Sequence, residues 1–336
     1  MALLCRVAEN MFWLSRYVER AIAVIRLIDV TAHLELDAGD QERDPSDFWA
    51  PLLGEDASTM DSMPSPAHVR HRLAFDATHP GSLVSCVRRA RTAAREVRES
   101  ISSEVWEQVN TTYLALNDPL VVSEMENDLH AFFRRMRDAL LLIPGLADAT
   151  IAHDEPWYFL SLGQHLERAD NVSRVVTLQG HLLSAPSTVY RDDAVRWLAV
   201  LRSVGSAEAY ARYYSLRVDP PRVVEFLLLN PVFPQSVRHN LNAAWAALAG
   251  VSGAVGVADV GANPPARALG MLRARLEHAT VDEVMEQGLH GFLVDLQNEI
   301  GRVSDQVTLA YFRQDPHVGR HMAVTRAAMI LAAQQQ

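Results

Sequence analysis

Two long segments of this chain share one helical residue pattern, and this repetition limits the fold more than any other feature. The first copy runs from Met11 to Ile28 and the second from Phe159 to Val176. Both carry a Glu-Arg-Ala core with an Arg seven residues after the Glu. Apolar residues in each copy recur at three- and four-residue spacing, which places them along one side of a helix that must be buried. The sequence therefore predicts that residues 3–36 and 156–183 form two helices that pack close together.

The rest of the chain also favours helices over strands. It has no sustained apolar–polar alternation, no Asn-Gly hairpin signal and no alternation of strand and helix patterns. We therefore predict an all-α fold of long antiparallel helices in a bundle-like arrangement. The predicted helices span residues 3–36, 66–75, 82–116, 120–143, 155–183, 192–216 with a kink at Gly205, 219–229, 234–249, 266–278 and 282–312. Residues 39–66 and 250–265 are predicted to be a long surface loop and a flexible connection.

The repeat also predicts how the chain is organised into domains. We expect one helical domain over residues 1–336, with pseudo-repeat halves at about 1–150 and 151–336 that are related by a pseudo-twofold. The repeat period is far longer than that of a solenoid, so an array of short repeats is not expected.

Composition excludes several functional classes. All 31 basic residues are Arg, which removes Schiff-base, phosphate-loop and general-base lysines. The formal net charge of -10 argues against a nucleic-acid-binding surface. The chain has only two cysteines, which suits a reducing compartment. Arg6 and Glu9 lie where a signal peptide needs an apolar run, and no apolar run is long enough to span a membrane. We therefore expect a soluble cytoplasmic protein.

A charged face accompanies each copy of the repeat. On the first helix Arg16, Glu19, Ala23 and Arg26 share one side, and the second copy carries Gln164, Glu167, Asn171 and Arg174 there. If the copies pack through a pseudo-twofold, these charges converge. They would then form either a site for an anion, an amino-acid headgroup or an acidic peptide, or a buried ion-pair network that fixes helix register. The candidate ligand-binding residues are Arg16, Glu19, Arg20, Arg26, Glu167, Arg168 and Arg174.

Recognisable catalytic motifs are missing from the sequence. A di-iron bundle requires Glu-x-x-His on two helices, and the nearest spacing here, Glu286 to His290, is one residue too long. The sequence also lacks a Gly-rich nucleotide loop and a Gly-x-Ser-x-Gly nucleophile turn. We therefore expect no bound metal and no cofactor, and no catalytic residue is assigned. An enzyme that uses Glu19 and Glu167 as an acid/base pair remains the rival interpretation.

Two surfaces are candidates for contacts with other proteins. Arg88, Arg91, Arg95 and Arg98 are predicted to form a stripe along one helix. Glu96 and Glu99 lie near enough to make this stripe an ordinary solvated face. Tyr213 and Tyr214, in a segment rich in Tyr and Arg, form the second candidate, because protein interfaces favour these residue types.

The ordered motifs resemble those of the bacterial alpha-E family over nearly the whole chain. The matching segments are Arg6-Val-Ala-Glu-Asn, Trp13-Leu-Ser-Arg-Tyr-Val-Glu-Arg-Ala, Trp157, Phe159-Leu, Leu166-Glu-Arg-Ala-Asp, Val223-Val-Glu-Phe-Leu-Leu-Leu-Asn-Pro and Pro234-Gln-Ser-Val-Arg. Gln164 stands where the first copy has Arg16, which departs from a symmetric site.

This resemblance implies an all-helical protein associated with circularly permuted ATP-grasp amidoligases and transglutaminase-like peptidases. It supplies no established reaction. The expected role is an accessory or substrate-presenting protein for a ligase that forms amide bonds on amino acids or peptides. The alternatives are an independent enzyme with paired Glu residues and a purely structural interaction scaffold.

Overall fold

The described part of the chain is helical, and it contains no strand. The computed structural model describes residues 5–37, 49–53, 65–183, 190–215, 217–252 and 263–312. The helices are α1 (Cys5–Asp37), α2 (Pro66–Phe75), α3 (Leu83–Glu96), α4 (Ser103–Leu116), α5 (Pro119–Asn127), α6 (Leu129–Thr150), α7 (Glu155–Leu183), α8 (Tyr190–Ser203), α9 (Ala207–Tyr213), α10 (Pro220–Val224), α11 (Val237–Ser252), α12 (Pro264–His278), α13 (Val281–Gln287) and α14 (Leu289–Val307). A 3₁₀ turn, Ala50–Leu53, and two π-helical turns, Glu225–Leu229 and Thr308–Phe312, complete the described elements. The all-α prediction is confirmed.

The two repeat helices, α1 and α7, pack directly against each other at the centre of the molecule. Phe12 lies beside Gly163 near the start of both helices, and Glu19 pairs with Arg168 further along both. The contacts advance in the same direction along the two helices, so this pair is parallel. The predicted packing of the two copies is confirmed, and within the bundle this central pair is parallel.

A small residue from each copy permits this close approach. A Cβ atom added to Gly163 would lie 2.2 Å from the carbonyl oxygen of Phe12 and 2.7 Å from Ser15 Oγ. Ser15 occupies the position of Gly163 in the first copy. Larger side chains would separate the helices and disturb the buried stripe around them, in which Leu14 and Leu162 are almost fully buried.

Each central helix has antiparallel neighbours, and the neighbours correspond between the halves. Helices α3 and α6 pack on α1, while α11 and α14 pack on α7. On the second side, His165 meets Asn240 of α11, and Thr177 accepts a 2.8 Å hydrogen bond from Gln297 of α14. These contacts are consistent with the predicted halves, although the division of the chain near residue 150 stays a prediction.

A turn before α3 is repeated before α11. In the first turn the Ser82 hydroxyl donates to the carbonyl of Asp76, and in the second the Ser236 hydroxyl donates to that of Asn230. Both serines also begin their helices, because their oxygens accept a backbone N–H three residues ahead. The spacing between each pair is identical in the sequence, so a second copied motif accompanies the Glu-Arg-Ala helices.

Several predicted helix boundaries are wrong. The helix expected over residues 82–116 is two helices, because α3 ends at Glu96 and Ser102 caps a new helix. The helix expected over 282–312 is interrupted at Gly288, whose φ of 95° favours glycine, and the kink expected at Gly205, φ 66°, is a full break.

The helix expected over 120–143 is wrong at both its middle and its end. It is divided at Asp128 into α5 and α6, and α6 continues through Pro144, where a helix stop was predicted. Pro144 removes one backbone donor. Leu140 and Ile143 before it and Ala147 after it are nevertheless buried along one face of α6. Packing of this continuous face outweighs the lost hydrogen bond.

Two predicted loops lie mainly outside the described residues. Within the first, Trp49 is fully buried and its indole N–H donates a 2.9 Å hydrogen bond to Glu35. Residues 253–262 of the second are not described. No helix in the described ranges has the length and apolar character needed to cross a membrane.

Candidate functional site

The Glu167 carboxylate is the more completely enclosed of the two repeat carboxylates. Its side chain is 1% exposed, and its two oxygens accept separate 2.7 Å hydrogen bonds from the Nε atoms of Arg16 and Arg20. Burial raises the pKa of Glu167, but Arg20 and Arg16 lower it further, to a net value of about 2. The pKa of Arg20 is raised in turn, because attraction to Glu167 exceeds the penalty of burial. Glu167 is therefore a fixed anion at neutral pH.

Glu19 forms the reciprocal contact with the second copy. Arg168 grips both of its carboxylate oxygens, with Nε donating over 3.1 Å to Oε2 and a terminal nitrogen donating to Oε1. The Asn171 amide also donates to the backbone carbonyl of Glu19 over 3.4 Å. Each helix thus supplies the anion that the arginine of the other helix binds, in a two-oxygen geometry that gives strong and directional hydrogen bonds.

We call Arg16, Glu19, Arg20, Glu167 and Arg168 the ionic clasp. All five side chains are at most 15% exposed. Their three positive and two negative charges leave one net positive charge. Every carboxylate oxygen has an arginine partner, which is the condition under which buried ions are tolerated. The clasp can therefore hold α1 and α7 in one register.

A small cavity adjoins Glu19, on the side where the repeat is asymmetric. Its lining is mostly apolar and includes Ser15, Glu19, Pro144 and Gln164. Gln164 occupies the position that Arg16 has in the first copy, so Glu19 lacks the second arginine that Glu167 has. The cavity has room for about one water molecule. An amino-acid headgroup does not fit there without movement of the helices.

A histidine with a fixed orientation lies beside the second half of the clasp. His165 Nδ1 is 2.8 Å from Asn240 Oδ1. The Asn240 amide nitrogen donates to the carbonyls of Pro234 and Ser236, so its oxygen must accept from His165. Burial lowers the pKa of His165 to about 4, and the neutral ring therefore carries its proton on Nδ1.

The corresponding pair in the first half is chemically different. Tyr17 takes the place of His165, and Cys86 takes the place of Asn240, four residues after the capping serine. Burial raises the pKa of the Cys86 thiol to about 11, although nearby Arg20 lowers it. Burial also raises the pKa of Tyr17. Both groups stay protonated at neutral pH, so this half contains no activated thiol.

Two arginines expected in the cluster have other partners. Arg26 donates to the carbonyl of Val204 over 3.3 Å, and Arg174 forms a 2.8 Å ion pair with Asp170 of its own helix. The convergence of charges is confirmed for the two Glu residues, but the arginines that meet them are Arg16, Arg20 and Arg168. The rotation of each helix about its own axis decides which arginines meet the carboxylates. Residue spacing along one helix does not reveal that rotation.

The predicted arginine stripe is only partly a helix face. Arg88 and Arg95 are exposed on α3, whereas Arg98 lies beyond its end and stacks 4.8 Å from the Trp106 ring. Arg91 bonds to Asn110 and lies 4.6 Å from the Tyr113 ring.

Glu96, one of the two acidic residues predicted near the stripe, lies close to an arginine of another helix. The carboxylate of Glu96 lies 4.0 Å from Arg6, on α1. Arg98 thus stacks on an aromatic ring of α4, and Arg91 combines such stacking with its hydrogen bond to Asn110.

The two tyrosine candidates differ in exposure. Tyr213 is 57% exposed and its ring lies 5.4 Å from that of Phe226. The Tyr214 hydroxyl donates a 3.0 Å hydrogen bond to Glu225, and burial together with this carboxylate raises its pKa to about 12. Tyr213 is therefore the residue of this pair that another protein can reach.

Sequence reasoning missed two residues that shape the site. Asn240 orients His165, and Gly163 lets the helices approach. The second copied motif, in which Ser82 and Ser236 precede equivalent helices, would have placed Asn240 near His165. No comparable signal marked Gly163, because glycine in a helix has several structural uses.

These features define a helical protein with an internal repeat and a buried ionic centre. The family model that matches residues 3–312 describes a predicted alpha-helical domain with a conserved ER motif. The chain belongs to this family, Alpha-E, and its Glu19-Arg20 and Glu167-Arg168 pairs are the ER dipeptides of the clasp.

Mycobacterial relatives show the same region within longer proteins. The uncharacterized proteins Mb2597 of Mycobacterium bovis and Rv2567 of Mycobacterium tuberculosis are each 25% identical to the chain over 313 residues. The match covers 87% of this chain but only 34% of each relative, so the chain spans about a third of their length. No solved structure matches the chain.

Proposed function

We propose that this protein is a non-catalytic, cytoplasmic helical partner of a circularly permuted ATP-grasp amidoligase. In this role it assists the ligase or presents its substrate during amide-bond formation on amino acids or peptides. The resemblance to the alpha-E family implies association with this ligase. It also implies association with a transglutaminase-like peptidase, which is a further proposed partner. The ionic clasp is the observation that separates this role from the rival enzyme.

The clasp disfavours catalysis by the paired carboxylates. A general base needs an oxygen within hydrogen-bond reach of the proton that it removes. Both oxygens of Glu167 and both of Glu19 already accept hydrogen bonds from arginine. The pKa of about 2 for Glu167 also makes it a weak base. These groups are better suited to holding α1 against α7 than to acid/base chemistry.

The length of the relatives supports a role beside other protein segments. The matched region accounts for 34% of each mycobacterial protein, so in those proteins it is covalently joined to a larger remainder. A region that is one part of a longer chain in relatives is a reasonable partner for separate chains elsewhere. The lack of lysine and of a Gly-rich phosphate loop supports our assignment of the ATP chemistry to the ligase.

The remaining candidate residues divide by accessibility within this proposal. The five residues of the clasp bind each other, so a charged headgroup reaches them only by replacing an existing ion pair. Arg174 has a side chain that is 43% exposed, and its carboxylate partner, Asp170, lies on the same helix and not in the clasp. We therefore assign first contact with a charged substrate to Arg174.

Co-purification with the ligase encoded nearby, followed by ligation assays, tests the proposal. We expect a stable or transient complex and a fall in ligation when this protein is omitted. Tyr213→Ala probes the aromatic surface, and Leu120→Ala, which removes a 78% exposed side chain from the other half, is its matched control. Failure to associate, together with unchanged ligase activity when the protein is absent, would overturn the partnership. Turnover by this protein alone would favour the independent enzyme.

A further inference from the structure

We propose that Asp29, His33 and His130 form a binding site for a divalent transition metal such as Zn²⁺. Asp29 and His33 lie one turn apart near the end of α1, and His130 lies at the start of α6. Ligand atoms of the three side chains all lie within 4.8 Å of one another. Two imidazoles and one carboxylate are a common ligand set for transition metals and leave coordination positions open.

The geometry directs one carboxylate oxygen towards both imidazoles. Asp29 Oδ1 is 3.5 Å from His33 Nδ1 and 3.8 Å from His130 Nδ1, and the two rings are 4.4 Å apart between centroids. Donor atoms bound to one Zn²⁺ at about 2.1 Å lie about 3–4 Å from each other. His33 Nδ1 also lies 2.8 Å from the backbone carbonyl oxygen of Asp29, so this hydrogen bond must be released before Nδ1 can bind a metal. The imidazole side chains are 49% and 44% exposed, so they can rotate to close the site.

The remaining contacts orient the carboxylate. Asp29 Oδ2 lies 3.6 Å from Arg137, on the side away from the imidazoles. This contact holds the carboxylate while Oδ1 stays available, as outer partners do in metal sites. A bound ion would fasten the last turns of α1 to the first turn of α6, and we infer that it stabilises this contact.

The expectation of no metal came from motif spacing within single segments. The three ligands here come from two helices that are far apart in the sequence, so no spacing rule could identify them. The packing of α6 on α1 brings them together.

The second half provides a matched control. His290 follows Leu289 at the start of α14, as His130 follows Leu129 at the start of α6. The position of Asp29 is taken by Thr177, whose hydroxyl accepts from Gln297. Without the carboxylate, this equivalent place lacks the charge that balances a divalent cation.

Titration of the purified full-length protein with Zn²⁺, followed by calorimetry and thermal unfolding, tests the site. We expect one saturable site and a rise in Tm on Zn²⁺ addition, because the ion binds only the folded state. His130→Gln and Asp29→Asn should each weaken binding by at least about tenfold, while His290→Gln should leave it unchanged. The metal-free His130→Gln protein should unfold at the wild-type temperature, which separates lost ligation from misfolding. Absence of saturable binding, or equal binding by wild type and His130→Gln, would overturn the site.

Discussion

The two halves of the ionic clasp use the same dipeptide but surround it differently. Glu167 receives two arginines and lies near Tyr17 and Cys86. Among the described residues, the Glu19 carboxylate accepts arginine hydrogen bonds from Arg168 alone, and it lies near a cavity and the oriented His165. The Glu-Arg exchange is therefore shared by both halves, while the residues around it differ. A function of the clasp that distinguishes the halves must depend on those neighbours.

The largest expected loss of stability comes from removing one carboxylate charge of the ionic clasp. Glu167→Gln leaves Arg16 and Arg20 buried without an anion, and we expect it to lower the free energy of unfolding by about 3–5 kcal/mol. Glu19→Gln removes the anion that Arg168 binds, and we expect a smaller loss of about 2–3 kcal/mol. Urea denaturation of both variants measures the difference. Equal losses would show that the second arginine on Glu167 contributes nothing to the asymmetry.

The next largest effect concerns the close approach of the helices. Gly163→Ala places a Cβ atom 2.2 Å from the Phe12 carbonyl oxygen. We expect a net loss of about 1–3 kcal/mol despite the better helix propensity of alanine. Gly145→Ala is the matched control, because a Cβ there meets nothing within 4 Å. It should be neutral or stabilise by up to about 1 kcal/mol. A stabilised Gly163→Ala protein would refute the close contact.

Acid titration distinguishes the two halves by pH range. The pKa of His165 is about 4 in the folded protein and about 6.5 when unfolded, so the unfolded state binds more protons between these values. Stability should therefore fall as pH decreases from about 6.5 to 4. The depressed pKa of Glu167 makes its own contribution fall later, from about pH 4.5 to 2.

His165→Gln separates these two contributions. The variant lacks the titrating ring, so its stability should change less between pH 6.5 and 4, while the Glu167 step below pH 4.5 remains. Denaturant midpoints measured across this range supply the test. An unchanged slope between pH 6.5 and 4 would show that His165 is not held neutral.

The smallest effect is expected at Arg174. Its contact with Asp170 joins residues four apart on one helix and is 43% exposed at the arginine. Arg174→Gln should lower stability by about 0.5–1 kcal/mol, because the Asp170 side chain, 13% exposed, loses this ion pair. Thermal unfolding checks this value. A loss of several kcal/mol would mean that Arg174 belongs to the clasp, contrary to its described position.

The sequence was sufficient for the helix class and for the pairing of the two Glu-Arg-Ala helices, because burial of their apolar stripes follows from periodicity alone. It also indicated that Glu19 and Glu167 converge. It did not determine which arginines meet them, since that depends on the rotation and direction of the packed helices. The His33–His130 proximity was equally inaccessible, because packing between distant segments creates it.

Breaks in the helices were predicted unevenly for a related reason. Gly205, where a kink was predicted, and Gly288, where no break was predicted, both adopt positive φ angles at real interruptions. Pro144 signalled a stop that does not occur, because the buried face of α6 continues past it. Local propensity was therefore a reliable guide only where tertiary packing did not oppose it.

A double-mutant cycle on Arg20 and Glu167 tests the central claim most directly. The claim is that these groups form a mutually dependent buried pair that holds α1 against α7. Unfolding free energies would be measured for wild type, Arg20→Gln, Glu167→Gln and the double variant. We predict a coupling energy of about 2 kcal/mol or more between the two positions. A coupling energy below about 0.5 kcal/mol would contradict the claim and would favour the rival acid/base role of Glu167.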